Sequence, residues 1–222
     1  MSQKTTLANY QKLQYFISES HTWNSEGLNT YRIEELQKSR STKTCKKGSL
    51  IIDDTACKKS KKCNKTEAVN FQYSSTDDAI VNCNVVVFST YADNRKHYPL
   101  DLRPYKPASN FIFGNKDREF KDKITLAIEL INTAYERGLD FSDVLFDSWY
   151  FNERLVSCIE NKGYKWITKA KSNNIVCLHG SWYTVDELVK LIPACKYRKM
   201  EYINPAMAGQ GDSLCLQLYW QN

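Results

Sequence analysis

Apolar runs and polar punctuation divide the chain into a helical beginning, a stretch where strands and helices interleave, and a different pattern after Lys171. Leu7, Tyr10, Leu13 and Ile17 recur at helical spacing, and Phe16 widens their face. A second helix is predicted over Glu26 to Lys38, with Leu28, Tyr31 and Leu36 on one side, before the polar loop Ser39-Arg40-Ser41-Thr42-Lys43. Leu50-Ile51-Ile52 reads as a buried strand delivering Asp53-Asp54-Thr55 to its end. The β-branched run Asn82 to Thr90 predicts a second strand, and His97 to Leu102 a third, at an edge because of Pro99. Arg103 to Asn115 carries Pro104, Pro107 and Gly114 and reads as loop.

The clearest helix covers Asp122 to Arg137. Ile124, Ala127, Ile128, Ile131, Ala134 and Tyr135 form its stripe, and Gly138 ends it. Asp143 to Asp147 is a short strand ending in an acid. Phe151, Leu155 and Ile159 follow at four-residue spacing on a helix closed by Gly163, and Tyr164 to Thr168 is a further strand. Three strands, a helix, a strand, a helix and a strand is the element order of an RNase H-like α/β fold: an antiparallel meander, then parallel neighbours reached through helices. Past Lys171, strands are expected at Ile175–Leu178, Arg198–Ile203 and Leu214–Trp220, and Trp182-Tyr183-Thr184 introduces a helix over Val185 to Leu191. No repeat or low-complexity tract interrupts the chain.

Composition adds bounds. The 222 residues are 42% hydrophobic and 13% aromatic, a globular composition with length for one sizeable domain and a small appendage. A net charge of +6 permits nucleic-acid binding without requiring it. The eight cysteines form no Cys-x-x-Cys pair, the N-terminus has no uninterrupted apolar run, and no stretch approaches membrane-spanning length. The expectation is a cytoplasmic protein with free thiols, away from membranes. A zinc site from Cys45, Cys57, Cys63 and Cys83 stays open, although their spacing is poor.

Two strands thus end in acids, Asp54 and Asp147. In an RNase H-like sheet the first and fourth strands are neighbours, so the strand ends bring the two carboxylates together. Hard oxygen ligands of this kind suit Mg²⁺ or Mn²⁺. Two such ions about 4 Å apart activate a water or a 3′-hydroxyl and stabilise the leaving oxygen at a phosphodiester. The Asp-Asp-Thr sequence also fits an ordinary polar turn at a strand end. Lys58, Lys59, Lys61 and Lys62, with Lys65, follow the acids and read either as phosphate ligands or as a solvated loop. Lys169 and Lys171 end the strand after the second acid, with the same two readings. Trp149 and Tyr150 either stack on a frayed base or begin the apolar face of the next helix. His21 and His97 have no metal-ligand partner at useful spacing.

Leu50-Ile-Ile-Asp-Asp-Thr-Ala-Cys-Lys-Lys59, Asn82-Cys-Asn-Val-Val-Val-Phe88, Val144-Leu-Phe-Asp-Ser-Trp-Tyr150 and the segment Cys158 to Lys171 with Gly163-Tyr164-Lys165-Trp166 together resemble the DDE transposases of bacterial insertion sequences, the DDE superfamily endonucleases. Tyr10-Gln-Lys-Leu-Gln-Tyr-Phe16 with Trp23 is similar to that family's helical N-terminal region. The resemblance runs from about Tyr10 to the C-terminus. It implies a helical region over 1–45, a catalytic core over 46–171 and the start of a β-rich insertion over 172–222. It also implies an enzyme that acts on DNA at element ends with Mg²⁺ or Mn²⁺, as a homo-oligomer. The family's first acid precedes a Thr, which maps to Asp54, leaving Asp53 on the other strand face, and the second maps to Asp147. The third, a Glu in a Tyr–Arg–Glu–Lys signature on a helix after the insertion, has no match. Glu187 and Glu201 lack the upstream Tyr and Arg, and Glu153 and Glu160 lie on the helix after the second acid. The expectation is a C-terminally truncated transposase whose third carboxylate lies beyond residue 222. The alternatives are a non-catalytic DNA-binding or multimerisation remnant, and an RNase H-like nuclease with a different third ligand.

Overall fold

The computed structural model describes residues 12, 14, 15, 24–64, 68–74, 76–169, 171–173, 175–178 and 181–191. The expected first helix stripe, the strands at 198–203 and 214–220, His21, Lys65 and Glu201 lie outside the described residues. Contacts divide the chain into two compact units, Met1–Lys43 and Thr44–Asn222.

In the first unit, α1 (Ser25–Lys38) starts at Asn24, whose side chain accepts from the Gly27 amide at 2.6 Å. Its buried residue is Ile33, whereas Leu28 and Tyr31, expected on the packed side, are 51% and 60% exposed. Thr42 closes the following turn by donating to the Leu36 carbonyl at 2.7 Å.

The second unit is built on a six-stranded sheet. Its strands are β1 (Ser49–Lys58), β2 (Asn70–Ser74), β3 (Ala79–Ala92), β4 (His97–Tyr105), β5 (Asp143–Phe146) and β6 (Lys165–Thr168). The order is β2-β3-β1-β5-β6, with β4 also pairing β3. β1, β3 and β4 are antiparallel, whereas β5 runs parallel to β1 and β6 parallel to β5. This is the mixed RNase H-like arrangement that the element order implied. β4 runs on through Arg103-Pro104-Tyr105, read above as loop. Among the described strands it pairs only with β3, so prolines at 99 and 104 leave no second ladder unmet.

Two helices cover one face of this sheet. Asp122 caps α2 (Lys123–Glu136), which buries Ile124, Leu126, Ala127, Leu130, Ile131 and Ala134 and packs on β3 and β4. α3 (Glu153–Asn161) buries Leu155 and Ile159 and packs on α2 and β6. Leu50, Ile52, Val85, Val87, Val144 and Phe146 form the sheet's side of that core. Each such aliphatic or aromatic side chain contributes about 1.5–3 kcal/mol by leaving water. Both predicted helix stops hold, since Gly138 and Gly163 adopt φ of +64° and +76°.

Beyond the sheet, β7 (Ile175–Leu178) pairs with β8 (Ser181–Thr184), and α4 (Val185–Leu191) follows. Trp182-Tyr183-Thr184 is itself strand and leads directly into the helix read from the sequence over Val185–Leu191. No described helix is long and apolar enough to cross a membrane.

Candidate active site

The parallel ladder between β1 and β5 determines which acids meet. Leu50 stands opposite Val144, and Ile52 opposite Phe146. Facing residues in a ladder project to the same side of the sheet, and these four are buried under the helices. The ladder ends there: Asp53 continues β1, and Asp147 is the residue just after β5, opening the turn Ser148–Tyr150. Asp53 alternates to the opposite side, with Ile51, and both acids are exposed.

Asp54 lies one residue further, on the helix-covered side. Its side chain is only 25% exposed. Lys123, the first residue of α2, donates to its Oδ2 at 2.8 Å. Tyr150, fully buried in the single turn Ser148–Tyr150 after β5, donates to its Oδ1 at 2.9 Å. Lys123 Nζ also sits 5.1 Å from the Trp149 ring centroid and 5.7 Å from that of Tyr105. Burial, followed by the Asp54 charge, pushes the Tyr150 phenol far above its ordinary value, so it remains a donor. The sequence had paired Asp54 with Asp147. The parallel ladder ends at Ile52 opposite Phe146, one step before Asp53 and Asp147, and Asp54 ties the strand to α2 and to the turn behind Asp147.

Burial raises the pKa of Asp53, and the negative charges of Asp54 and Asp147 raise it further, against the Asp54 amide and Lys123. The amide donates to Asp53 Oδ1 at 2.8 Å. A pair of exposed carboxylates under mutual repulsion is a hard-oxygen donor set that fits a divalent cation. Among the described residues, no group of three or more His, Cys, Asp or Glu side chains is placed to hold a metal. The zinc alternative thus finds no cluster; Cys45, Cys57, Cys63 and Cys83 are free thiols.

The other candidate acids have local employment. Glu187 Oε2 accepts from the Thr184 amide at 2.8 Å and from its hydroxyl at 2.9 Å, which makes a capping box at the start of α4. Glu160 accepts from the Trp166 indole at 3.0 Å. Glu153 opens the first turn of α3. Trp149 is 53% exposed, whereas Tyr150 belongs to the core.

The lysines separate. Lys58 shares the side of its ladder partner Cys83, which is the helix-covered one, and pairs with Asp77. Lys59, Lys61 and Lys62 are exposed, and the last two form a turn. Exposed Lys169 comes one step after Thr168, at the end of the strand beside Asp147. Lys171 is exposed as well. The residue that sequence reasoning missed is Lys123, whose signal was its position immediately after the helix cap Asp122.

A comparison with curated protein sequences finds no match. Among solved structures, the chain is similar to the Drosophila P element transposase strand transfer complex, with a TM-score of 0.29 and 12% identity over 83% of this chain. The chain spans 46% of the length of that one. The family model of the DDE superfamily endonucleases, enzymes that generally use divalent metals, matches residues 1–182. The chain belongs to the DDE superfamily endonucleases.

Proposed function

We propose that this protein acts on DNA phosphodiesters by metal-dependent hydrolysis and strand transfer, as a transposase at the ends of an insertion element. The observation that supports this reading is that Asp53, next after the last ladder pair Ile52–Phe146, and Asp147, the residue just after β5, are both exposed and that the charge of Asp147 acts on Asp53. Asp53 and Asp147 would hold Mg²⁺ or Mn²⁺, which supplies Lewis acidity at the phosphodiester and toward the attacking hydroxyl. Asp54, with Lys123 and Tyr150, fixes the middle of β1 against α2 and the turn that follows Asp147. Lys169, at the same end of the sheet, is a cation for a nearby phosphate. By family membership the reading extends to a homo-oligomer on the element ends.

Nicking of supercoiled plasmid DNA in Mn²⁺ tests this assignment. Asp53→Asn and Asp147→Asn should each lose activity by about 100-fold or more, and Asp54→Asn should stay within roughly the 10–100-fold range of a supporting residue. If Asp54→Asn is as inactive as Asp147→Asn while Asp53→Asn cuts, the metal pair is Asp54 with Asp147. A second reading, a DNA-binding module without catalysis, is favoured because no three acids among the described residues are placed together to hold a metal. Wild-type chain that binds duplex DNA yet nicks nothing in Mn²⁺ would select it.

A further inference from the structure

The acid-bearing face continues beyond the carboxylates. The β1–β3 ladder runs without a break from Ser49 opposite Ala92 to Lys58 opposite Cys83. Asp53, Thr55 and Cys57 therefore share a side with Phe88, Val86 and Asn84, and the alternation of β3 brings Asn82 to that side next. Its neighbours there are open to water: Ile80 is 70% exposed and Phe71, the ladder partner of Asn82, 57%. Asn82 is only 4% exposed. What covers it is the lysine turn.

Asn82 organises that turn with its side-chain nitrogen and its backbone carbonyl. Its Nδ2 donates to the Ser60 and Cys63 carbonyls, each at 2.8 Å. Its backbone carbonyl accepts from the Lys59 amide at 2.8 Å, and the Cys63 amide donates to the Ser60 carbonyl at 3.0 Å. Lys61 and Lys62 are then the two central residues of a closed β-turn, exposed and projecting from a fixed base. A solvated loop needs no buried side chain to satisfy both of its end carbonyls.

We infer that the turn Ser60–Cys63 is a subsite for the DNA sugar-phosphate backbone, and that Asn82 is the positioning residue that holds its lysines on the acid-bearing face. The inference rests on the DNA-processing reading above and adds a second contact to it. Six residues of β3 separate Phe88, opposite Asp53, from Asn82, which is about 20 Å of strand. That length corresponds to about six base-pair steps of duplex, within the reach of one DNA segment. Lysine suits the task as a strongly hydrated point charge for phosphate. Lys58 is not part of the subsite, because it projects to the other side and is paired with Asp77.

The test is binding of a fluorescein-labelled 30-base-pair duplex by the full chain, followed by anisotropy across a KCl series. Each phosphate contact contributes about 0.9 to the slope of log K against log salt. Lys61→Ala/Lys62→Ala should lower the slope by about two. Asn82→Ala, which changes no charge, should lower it in the same direction, whereas Lys58→Ala should leave it at the wild-type value. A circular dichroism melt checks the fold of each variant. If Asn82→Ala does not fold, Asn82→Thr replaces it, since Thr suits a strand and cannot donate to two carbonyls. Wild-type slopes in the double lysine variant overturn the subsite while leaving the DNA-processing reading intact. A lowered slope in the lysine variant with a wild-type slope in a folded Asn82 variant overturns the positioning role. Failure of the wild-type chain to bind the duplex overturns the function itself.

Discussion

At the scale of single residues, a small number of contacts fix the frame behind the acids. Tyr91 is fully buried, and its hydroxyl donates to Asp93 Oδ2 at 2.9 Å and accepts from the Cys45 amide at 3.0 Å. Its ring lies where a Cβ on Gly48 would be, at 2.3–2.4 Å. The ring is held at both ends and has nowhere to move. Gly48→Ala should therefore cost about 1–3 kcal/mol, read as a lower urea midpoint at unchanged slope. Asp93 also carries an acid-sensitive share of stability. Lys96 donates to it at 2.8 Å and, with the Arg95 amide and Tyr91, holds its carboxyl well below the usual range against burial. A depressed folded value means that this stability is present above about pH 4 and is lost as pH falls through the folded value. Asp93→Asn should be less stable at pH 7 and show a flatter acid limb in thermal melts. The choice between Asp53 and Asp54 also belongs to this scale: the family resemblance chose Asp54, and the hydrophobic pattern alone could not choose. Leu50-Ile51-Ile52 is apolar on both strand faces, so periodicity assigns no side, and only pairing with β5 does.

At the scale of elements, strong local chemistry was legible and weak local chemistry was not. The helix that became α2 was readable to within a residue at each end, because Asp122 caps it and Gly138 stops it. Its stripe was wider than the sequence implied: Leu126 and Leu130 are buried because β3 and β4 both lie beneath it, while Tyr135 is 49% exposed. β2 escaped notice, since Asn70-Phe-Gln-Tyr-Ser74 puts Phe71 and Tyr73 on an exposed face and has no core pattern. Asp122 has a second task that a cap signal does not reveal. It accepts from the Thr125 amide at 2.7 Å and from Arg154 Nη1 at 2.9 Å, while Arg154 Nη2 donates to the Thr125 hydroxyl at 2.7 Å. α3 is thereby tied to the cap of α2, and so is Lys123, the next residue. Asp122→Ala should cost about 1–2 kcal/mol, near the upper end for a helix cap. Because Lys123 holds Asp54, the same variant should also slow nicking, whereas Arg154→Ala, which leaves the cap intact, should cost less stability.

At the scale of the whole molecule, the sheet separates two kinds of surface. Its helix-covered face holds the core and the satisfied acid Asp54, its other face carries Asp53, with the lysine turn further along, and Asp147 follows directly after β5. Asp147 was legible as an acid at a strand end, whereas β1 runs on past Asp54 to Lys58, and the face of Asp53 and the turn clamped by Asn82 depend on ladders between strands distant in sequence. Gathering Asp53, Asp54 and Asp147 at one sheet end places like charges together, with Lys123 as a partial counterweight. Such a cluster opposes folding until a cation occupies it. In metal-free buffer at pH 7, Asp53→Asn should therefore melt above the wild type, the opposite of Asp93→Asn, although both remove one negative charge. Adding Mn²⁺ should reverse the order. A ligand that binds only the folded state at 100 times its Kd contributes about 2.7 kcal/mol, so the wild-type midpoint should rise while that of Asp53→Asn stays nearly fixed. Equal Mn²⁺ shifts in the two proteins would remove Asp53 from the metal site, and a lower metal-free midpoint for Asp53→Asn would mean that its carboxylate supports the fold.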